Sequence, residues 1–294
     1  MFDSIAEMME LAETSAQPLH VIVRQAEIEN SGASSEDIER RMAKRLAIMR
    51  SSAEQGQAEP IRSLSGISGG NAHCFSIWLR DHEPLSGPIL SRAVARAMAV
   101  NEVNAGMGCI VATPTAGSAG ILPGVLLTLQ EVQGFSDQQL VDALFTASGI
   151  GAVIVKRAGV SGAAGGCQAE TGSAASMAAG AAVELLGGTP HQSGQAVAMT
   201  LKNMLGLVCD PVAGLVEIPC VKRNAAGTAQ CFVAVDLAMA GVESAIPPDE
   251  VIDAMASIGK RMDDRFKETA QGGLAATPTG KRLAKLVWAK PPLT

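Results

Sequence analysis

SSEDIERRMAKRLAIMRSSAEQGQ, residues 34 to 57, carries the clearest secondary-structure pattern in this 294-residue chain. Ser34 or Ser35 can accept a hydrogen bond from the first free backbone amides of a helix, and Glu36 and Asp37 put negative charge at its positive end. Ile38, Met42, Leu46 and Met49 recur at helical spacing between mostly charged residues. One face is therefore built for burial and the other for water.

The same period recurs at about 88 to 105, 120 to 133, 136 to 157, 168 to 187, 191 to 207, 228 to 241 and 248 to 270. Ser136 before Asp137, and Pro247-Pro248 before Asp249 and Glu250, are sound helix starts. Alternating β-branched runs bounded by turns are scarce, so the expected fold is all-α. From Ser65 the chain turns Gly/Ser/Pro-rich, in SGISGGNAH and LSGPILS. We expect one domain over residues 1–294, with residues 1–60 as a helical N-terminal arm.

Composition narrows the function. The hydrophobic fraction is 47% but the aromatic fraction only 3%, with no Tyr, so close packing of small side chains must build the core. With 23 Lys+Arg against 29 Asp+Glu the net charge is −6, and no basic stripe would neutralise a phosphate backbone. The start, MFDSIAEMMELAE, has no cationic segment followed by an apolar run, so a cytosolic protein is expected. Pro114, Pro123, Lys156 and Arg157 break the most apolar stretches before they reach the ~20 residues of a membrane span. Six cysteines in a cytosolic chain are expected to be thiols, metal ligands or reactive groups.

Polar chemistry gathers in four Gly-rich turns: TPTAGSAG (113–120), SGAAGGC (161–167), DPVAG (210–214) and QGGLAATPTG (271–280). Thr115, Gly117 and Ser118 fit an anion cradle before a helix, and equally well a helix cap with close-packing glycines. Neither a P-loop nor a GxGxxG follows a strand, so nothing supports a nucleotide site. The four histidines, His20, His73, His82 and His191, have no metal spacing. His191 reads as a surface residue, and His73 and His82 flank an apolar turn holding Trp78. No Gly-x-Ser-x-Gly elbow appears, and no lysine stands out as a pyridoxal phosphate carrier.

Cys167, Cys209 and Cys220 are separated by 42 and 11 residues, with no CxxC. Spacing alone favours buried thiols. Their setting points the other way: Cys167 lies at a Gly-rich helix entrance, Cys209 before Asp210-Pro211 where a helix should end, and Cys220 after Pro219. Thiolates at element ends can converge without breaking helices.

Read together, NEVNAGMG (101–108), ATPTAGSAGILPG (112–124), SGAAGGCQAETGSA (161–174), LKNMLGLVCDPVAGLVEIPCVKRNA (201–225) and QGGLAATPTG (271–280) closely resemble the α subunit of bacterial iron-sulfur-dependent L-serine dehydratases. The resemblance covers essentially the whole chain, SGISGG at 65–70 included. It implies that Cys167, Cys209 and Cys220 hold a 4Fe-4S cluster with one iron open as a Lewis acid, and that L-serine is dehydrated to pyruvate and ammonia. It further implies that Asn104, Thr115, Ser118 and Ser161 line the serine pocket and that Lys222 and Arg223 attract the carboxylate. A solvated helix entrance explains that basic pair as well. Gly272 and Gly273 would form a turn closing the site, while Cys74, Cys109 and Cys231 fall outside the ligand motifs.

Single-chain relatives in this family carry a further domain with a Ser-Ser-Ser-His-Thr segment that has no counterpart here. The resemblance is thus to the two-subunit type, a hetero-oligomer in which a β subunit supplies the proton-transferring histidine. Two other readings remain: a related cluster-dependent lyase of threonine or a small hydroxy acid, and a non-catalytic helical scaffold with core cysteines.

Overall fold

The Ser34 hydroxyl accepts the Asp37 amide at 3.2 Å and starts the helix Ser35–Ala58. Ile38, Leu46 and Met49 are buried along that helix, and Met42 packs against the same core. The computed structural model describes residues 2–289; Met1 and residues 290–294, the ends of the expected 1–294 span, lie outside the described residues. The fold is all-α, as expected. Its helices are α1 (Ile5–Ser15), α2 (Leu19–Ser31), α3 (Ser35–Ala58), α4 (Asn71–Asp81), α5 (Pro88–Ala105), α6 (Ile121–Gln133) and α7 (Asp137–Arg157). There follow α8 (Gly162–Gly165), α9 (Ser173–Leu185), α10 (Pro190–Lys202), α11 (Cys220–Met239), α12 (Pro248–Arg261) and α13 (Pro278–Trp288). Among the described residues β pairing is limited to two isolated bridges, Arg62 with Gly69 and Cys209 with Lys267.

At the centre stands α9, SAASMAAGAAVEL, buried at every residue from Ser173 to Val183. It packs against α6, α7, α10 and α11. Its residues are small because the surrounding helices come close: a side chain at Gly180 would run into Ile150 of α7. The same economy seats α3 and α6 on α5. A Cβ on Gly56 would lie 2.6 Å from the Ala99 carbonyl oxygen, and one on Gly124 would lie 2.8 Å from that of Ala93. Ala and Gly thus do what aromatic side chains do elsewhere, gaining dispersion contacts by approach of backbones rather than by side-chain bulk. Apolar residues of α1, α2 and α3 enter the same core, among them Ile5, Met8, Leu19 and Val23.

Several boundaries differ from the sequence-based expectation. The helix expected over 228–241 begins eight residues earlier at Cys220, behind Pro219. The one expected over 248–270 stops at Arg261, where Met262 turns extended. The one expected over 191–207 stops at Lys202. The apolar turn around Trp78 is instead the helix α4. Its first amides, Asn71 and Ala72, donate to the buried Glu102 carboxylate at 2.8 and 3.0 Å, a cap from 30 residues away that no local pattern shows.

Among the described residues, α7 alone is long and apolar enough to cross a bilayer, and 67% of its apolar window is buried within the fold. That is the pattern of a core helix.

Surface ion pairs join the helices. Glu131 on α6 pairs with Arg96 and Arg92 on α5, and the Arg96 hydrogen bond holds its carboxyl below the ordinary range. A depressed carboxyl stabilises the fold above its unfolded pKa and loses that contribution as pH falls through the folded pKa. Glu131→Gln should therefore be less stable than the parent by under about 1 kcal/mol at pH 7, since the pair is half-exposed. Urea unfolding from pH 7 to 3 should show the difference vanish on acidification.

Candidate active site

Two irregular segments and one helix start carry the cysteines into one buried region. Cys167 precedes a single π-helical turn, Gln168–Gly172, that leads into α9. Cys209 lies in an extended segment whose amide donates to the Phe266 carbonyl at 2.8 Å, while its own carbonyl accepts from Glu268. Cys209 thus follows an irregular segment rather than a helix end. Cys220 is the first residue of α11. Their exposures are 4%, 4% and 8%.

Glu170 and Arg223 stand among them. The Thr115 hydroxyl donates to Glu170 Oε1 at 2.7 Å, and the Cys209 thiol faces Oε2 at 3.7 Å. Arg223 donates to the Val208 carbonyl at 2.8 Å and pairs with Asp210 Oδ1 at 2.8 Å. Burial pushes all three thiols above the ordinary cysteine range. After burial, the Glu170 carboxylate and the Cys167 thiol raise Cys209 further, and Cys167 and Glu170 do the same to Cys220. Arg223 pulls Cys167 and Cys220 the other way. The contacts agree: Glu170, three residues after Cys167, faces the Cys209 thiol, and Arg223, three residues after Cys220, bonds the residues on either side of Cys209.

Glycines let the backbone approach these side chains closely. A Cβ on Gly162 would lie 2.6 Å from Glu170 Oε2 and 2.9 Å from Cys209 Sγ. Gly273, at φ +57°, passes so close to Asp210 that a Cβ there would lie 2.6 Å from the Asp210 Cβ. The next amide, of Leu274, donates to Asp210 Oδ2 at 2.7 Å. The QGG turn is thereby fastened to the residue after Cys209.

Three cysteine thiols in one region are donors of the type that iron-sulfur clusters use. Among the described residues no three Cys, His, Asp or Glu side chains close on one point as donors around one ion do. A multi-iron cluster distributes its thiolates over different irons, so they stand further apart while facing one cavity. Burial opposes ionisation of all three thiols, so a thiolate form there calls for positive charge beside it, as a bound metal centre would supply.

The other expected substrate residues divide. Thr115 and Arg223 contact the cysteine region, Thr115 through Glu170 and Arg223 through Val208 and Asp210. Ser118 is fully buried and donates to the Thr113 carbonyl at 3.2 Å, inside its own turn. Lys222 is exposed and donates to Asn71 Oδ1 at 2.8 Å, so the basic pair splits, one cation in and one out. Ser161 is exposed at the start of α8, and Asn104 is half-buried in the last turn of α5.

Sequence inspection passed over Glu170, Asp210 and Asn224. Glu170, three residues after Cys167 in CQAE, carries the one available hint, since that spacing shares a helix face. Asn224 is fully buried; its amide donates to Gly117 O at 2.7 Å and Cys220 O at 2.9 Å, and its Oδ1 accepts the Gly120 amide at 3.0 Å. It locks the Cys220 helix to the TPTAGSAG turn. Asn224→Ala, which leaves the Gly120 amide and the Gly117 carbonyl without that partner, should destabilise the protein by about 2 to 3 kcal/mol in urea unfolding.

Of the four histidines none reaches this pocket. His73 bonds the Gln57 carbonyl, His82 the Trp78 carbonyl, His20 contacts Glu184, and His191 lies at the surface beside Glu243.

The family model "Serine dehydratase alpha chain" matches residues 5–275. The chain belongs to the serine dehydratase alpha chain family. It is 49% identical to the "Probable L-serine dehydratase, alpha chain" of Bacillus subtilis, over 98% of this chain and 96% of that one. It is 40% identical to the "L-serine dehydratase, alpha chain" of Peptoniphilus asaccharolyticus, over 97% of this chain and 98% of that one. The "L-serine dehydratase" of Streptomyces coelicolor is 46% identical over 61% of this chain but only 40% of its own length. Serine dehydratase alpha sequences thus occur both as chains of this length and inside longer proteins.

Proposed function

We propose that this chain is the cluster-binding α subunit of an L-serine dehydratase, which eliminates water from L-serine and releases pyruvate and ammonia. The observation that carries the reading is that Glu170, three residues after Cys167, faces the Cys209 thiol while Arg223, three after Cys220, bonds the residues flanking Cys209, in a chain matched along nearly all its length by L-serine dehydratase alpha chains. Cys167, Cys209 and Cys220 would hold a 4Fe-4S cluster, which when bound supplies a Lewis acid for departure of the serine hydroxyl.

The protein's own residues arrange the rest. Arg223, held by Val208 and Asp210, offers a fixed positive charge to the substrate carboxylate. Glu170 accepts the Thr115 hydroxyl and fixes that side chain beside the cysteines, and the QGG turn is fastened there through Asp210. Water excluded by this burial strengthens each of these electrostatic contacts.

Removing the Cα proton needs a base, and the chain's histidines are engaged elsewhere. The reading assigns that base to a β subunit, completing a hetero-oligomer. The test is pyruvate formation from L-serine by anaerobically reconstituted chain, with and without its β subunit. Turnover should require both chains and exceed turnover of L-threonine, whose extra methyl the pocket must admit. Full activity of the α chain alone would remove the assignment of the base. Iron-loaded complex that leaves serine untouched would overturn the function.

A further inference from the structure

Away from the cysteines, α3, α4, α5 and α6 enclose a groove of about 510 Å³. Two polar atoms lining it, Gln57 Oε1 and Ser76 Oγ, are buried and have no hydrogen-bond partner. Buried polar atoms are otherwise satisfied in the great majority, so each such pair asks for an explanation. Beside them Arg80 makes no hydrogen bond or ion pair among the described residues.

The other arginines of the groove are already engaged. Arg50 makes a two-pronged contact with Asp137 and bonds Gln130, while Arg96 holds Glu131 and the Thr128 hydroxyl. The polar lining side chains that make no hydrogen bond sit on two facing helices. On α4, Ser76 and Arg80 are four residues apart and share a face; they offer O–H and N–H donors. On α3, Glu54 and Gln57 are three residues apart and also share a face; Glu54 is exposed and makes no hydrogen bond, though its charge acts on Arg50, and the two offer acceptors.

A ligand that satisfies both walls must carry a carboxylate for the α4 side and a cationic donor for the α3 side. A dianion would leave Glu54 and Gln57 Oε1 facing negative charge, and a simple cation would leave Arg80 unmatched. We propose that this groove binds a free α-amino acid as its zwitterion, the carboxylate on Arg80 and Ser76 and the ammonium on Glu54 and Gln57 Oε1. Ala53, Ala58 and Leu127 complete the lining and receive the side chain. No residue of the groove belongs to the cysteine pocket, so this is a second site, independent of the proposed chemistry.

Isothermal titration of the full-length chain with each of the twenty standard L-amino acids in turn tests this. At least one should bind saturably, with the same affinity in Cys167→Ser. Arg80→Gln and Gln57→Leu should each weaken that binding about tenfold or more, as loss of a charge-assisted or otherwise unsatisfied buried partner does, with the circular dichroism spectrum unchanged. Absence of binding by all twenty would overturn the proposal. So would binding that Arg80→Gln leaves intact, or binding that Cys167→Ser abolishes.

Discussion

Cys167→Ser, Cys209→Ser and Cys220→Ser should each lower kcat/KM for L-serine in the α–β complex by at least about a thousandfold, some 4 kcal/mol of transition-state stabilisation. A serine hydroxyl is a poor substitute for thiolate toward iron, because soft sulfur ligands are what retain such clusters. The loss should be accompanied by loss of iron-linked absorbance, and by little change in helicity, since Ser is close to Cys in size at sites exposed by 4% to 8%. Cys231 provides the internal control. It is fully buried in the main core, and burial alone raises its thiol. Cys231→Ala should keep both iron and turnover, at a stability cost of about 1 kcal/mol. A comparable activity loss at Cys231, or none at Cys209, would separate the chemistry from the three proposed ligands.

The second large effect is structural and sits beside the pocket. Gly120 precedes α6 where that helix crosses α5. A Cβ there would fall well inside contact with the Ala97 carbonyl oxygen, 2.8 Å from its carbon and 3.1 Å from the Ala97 Cα. These are backbone atoms of a long helix, so no side-chain rotation relieves the clash. The Gly120 amide also holds Asn224, and any shift strains the bond joining α6 to the Cys220 helix. Gly120→Ala should cost about 3 kcal/mol, lowering the thermal midpoint by roughly 6 to 10 °C. Gly134 gives the comparison: at φ +75° with nothing within 4 Å of a would-be Cβ, alanine there costs only the left-handed backbone penalty of about 1 kcal/mol. Equal midpoints for the two variants would show that helix approach is not what Gly120 serves.

How much of this was readable beforehand follows from the range of the forces involved. Local rules found α3, α5, α6 and α7 within a residue or two; Ser34 and Ser136 cap α3 and α7 through their own sequence neighbours. They missed α4, whose cap is Glu102, and α13, which lies in a segment read only as a Gly-rich turn running into the C-terminus. They extended α12 through residues 262–270, where Cys209 instead bonds the chain at Phe266 and Glu268. The cysteines could be singled out through the motifs around them, not through their spacing. Glu170 and Asp210 could not, since each acts by contacts made across the fold: Glu170 with Thr115 and Cys209, Asp210 with Arg223 and Leu274. The pairing of Lys222 with Arg223 in sequence likewise hid their different fates, set by consecutive residues of a helix pointing about 100° apart.

The most direct measurement is an iron anomalous difference map from anaerobically grown crystals of the reconstituted chain. The account predicts one compact iron-rich feature bounded by the sulfurs of Cys167, Cys209 and Cys220, with Glu170 and Arg223 at its edge. Iron absent from that cavity, or bound through Cys74, Cys109 or Cys231 instead, would contradict it.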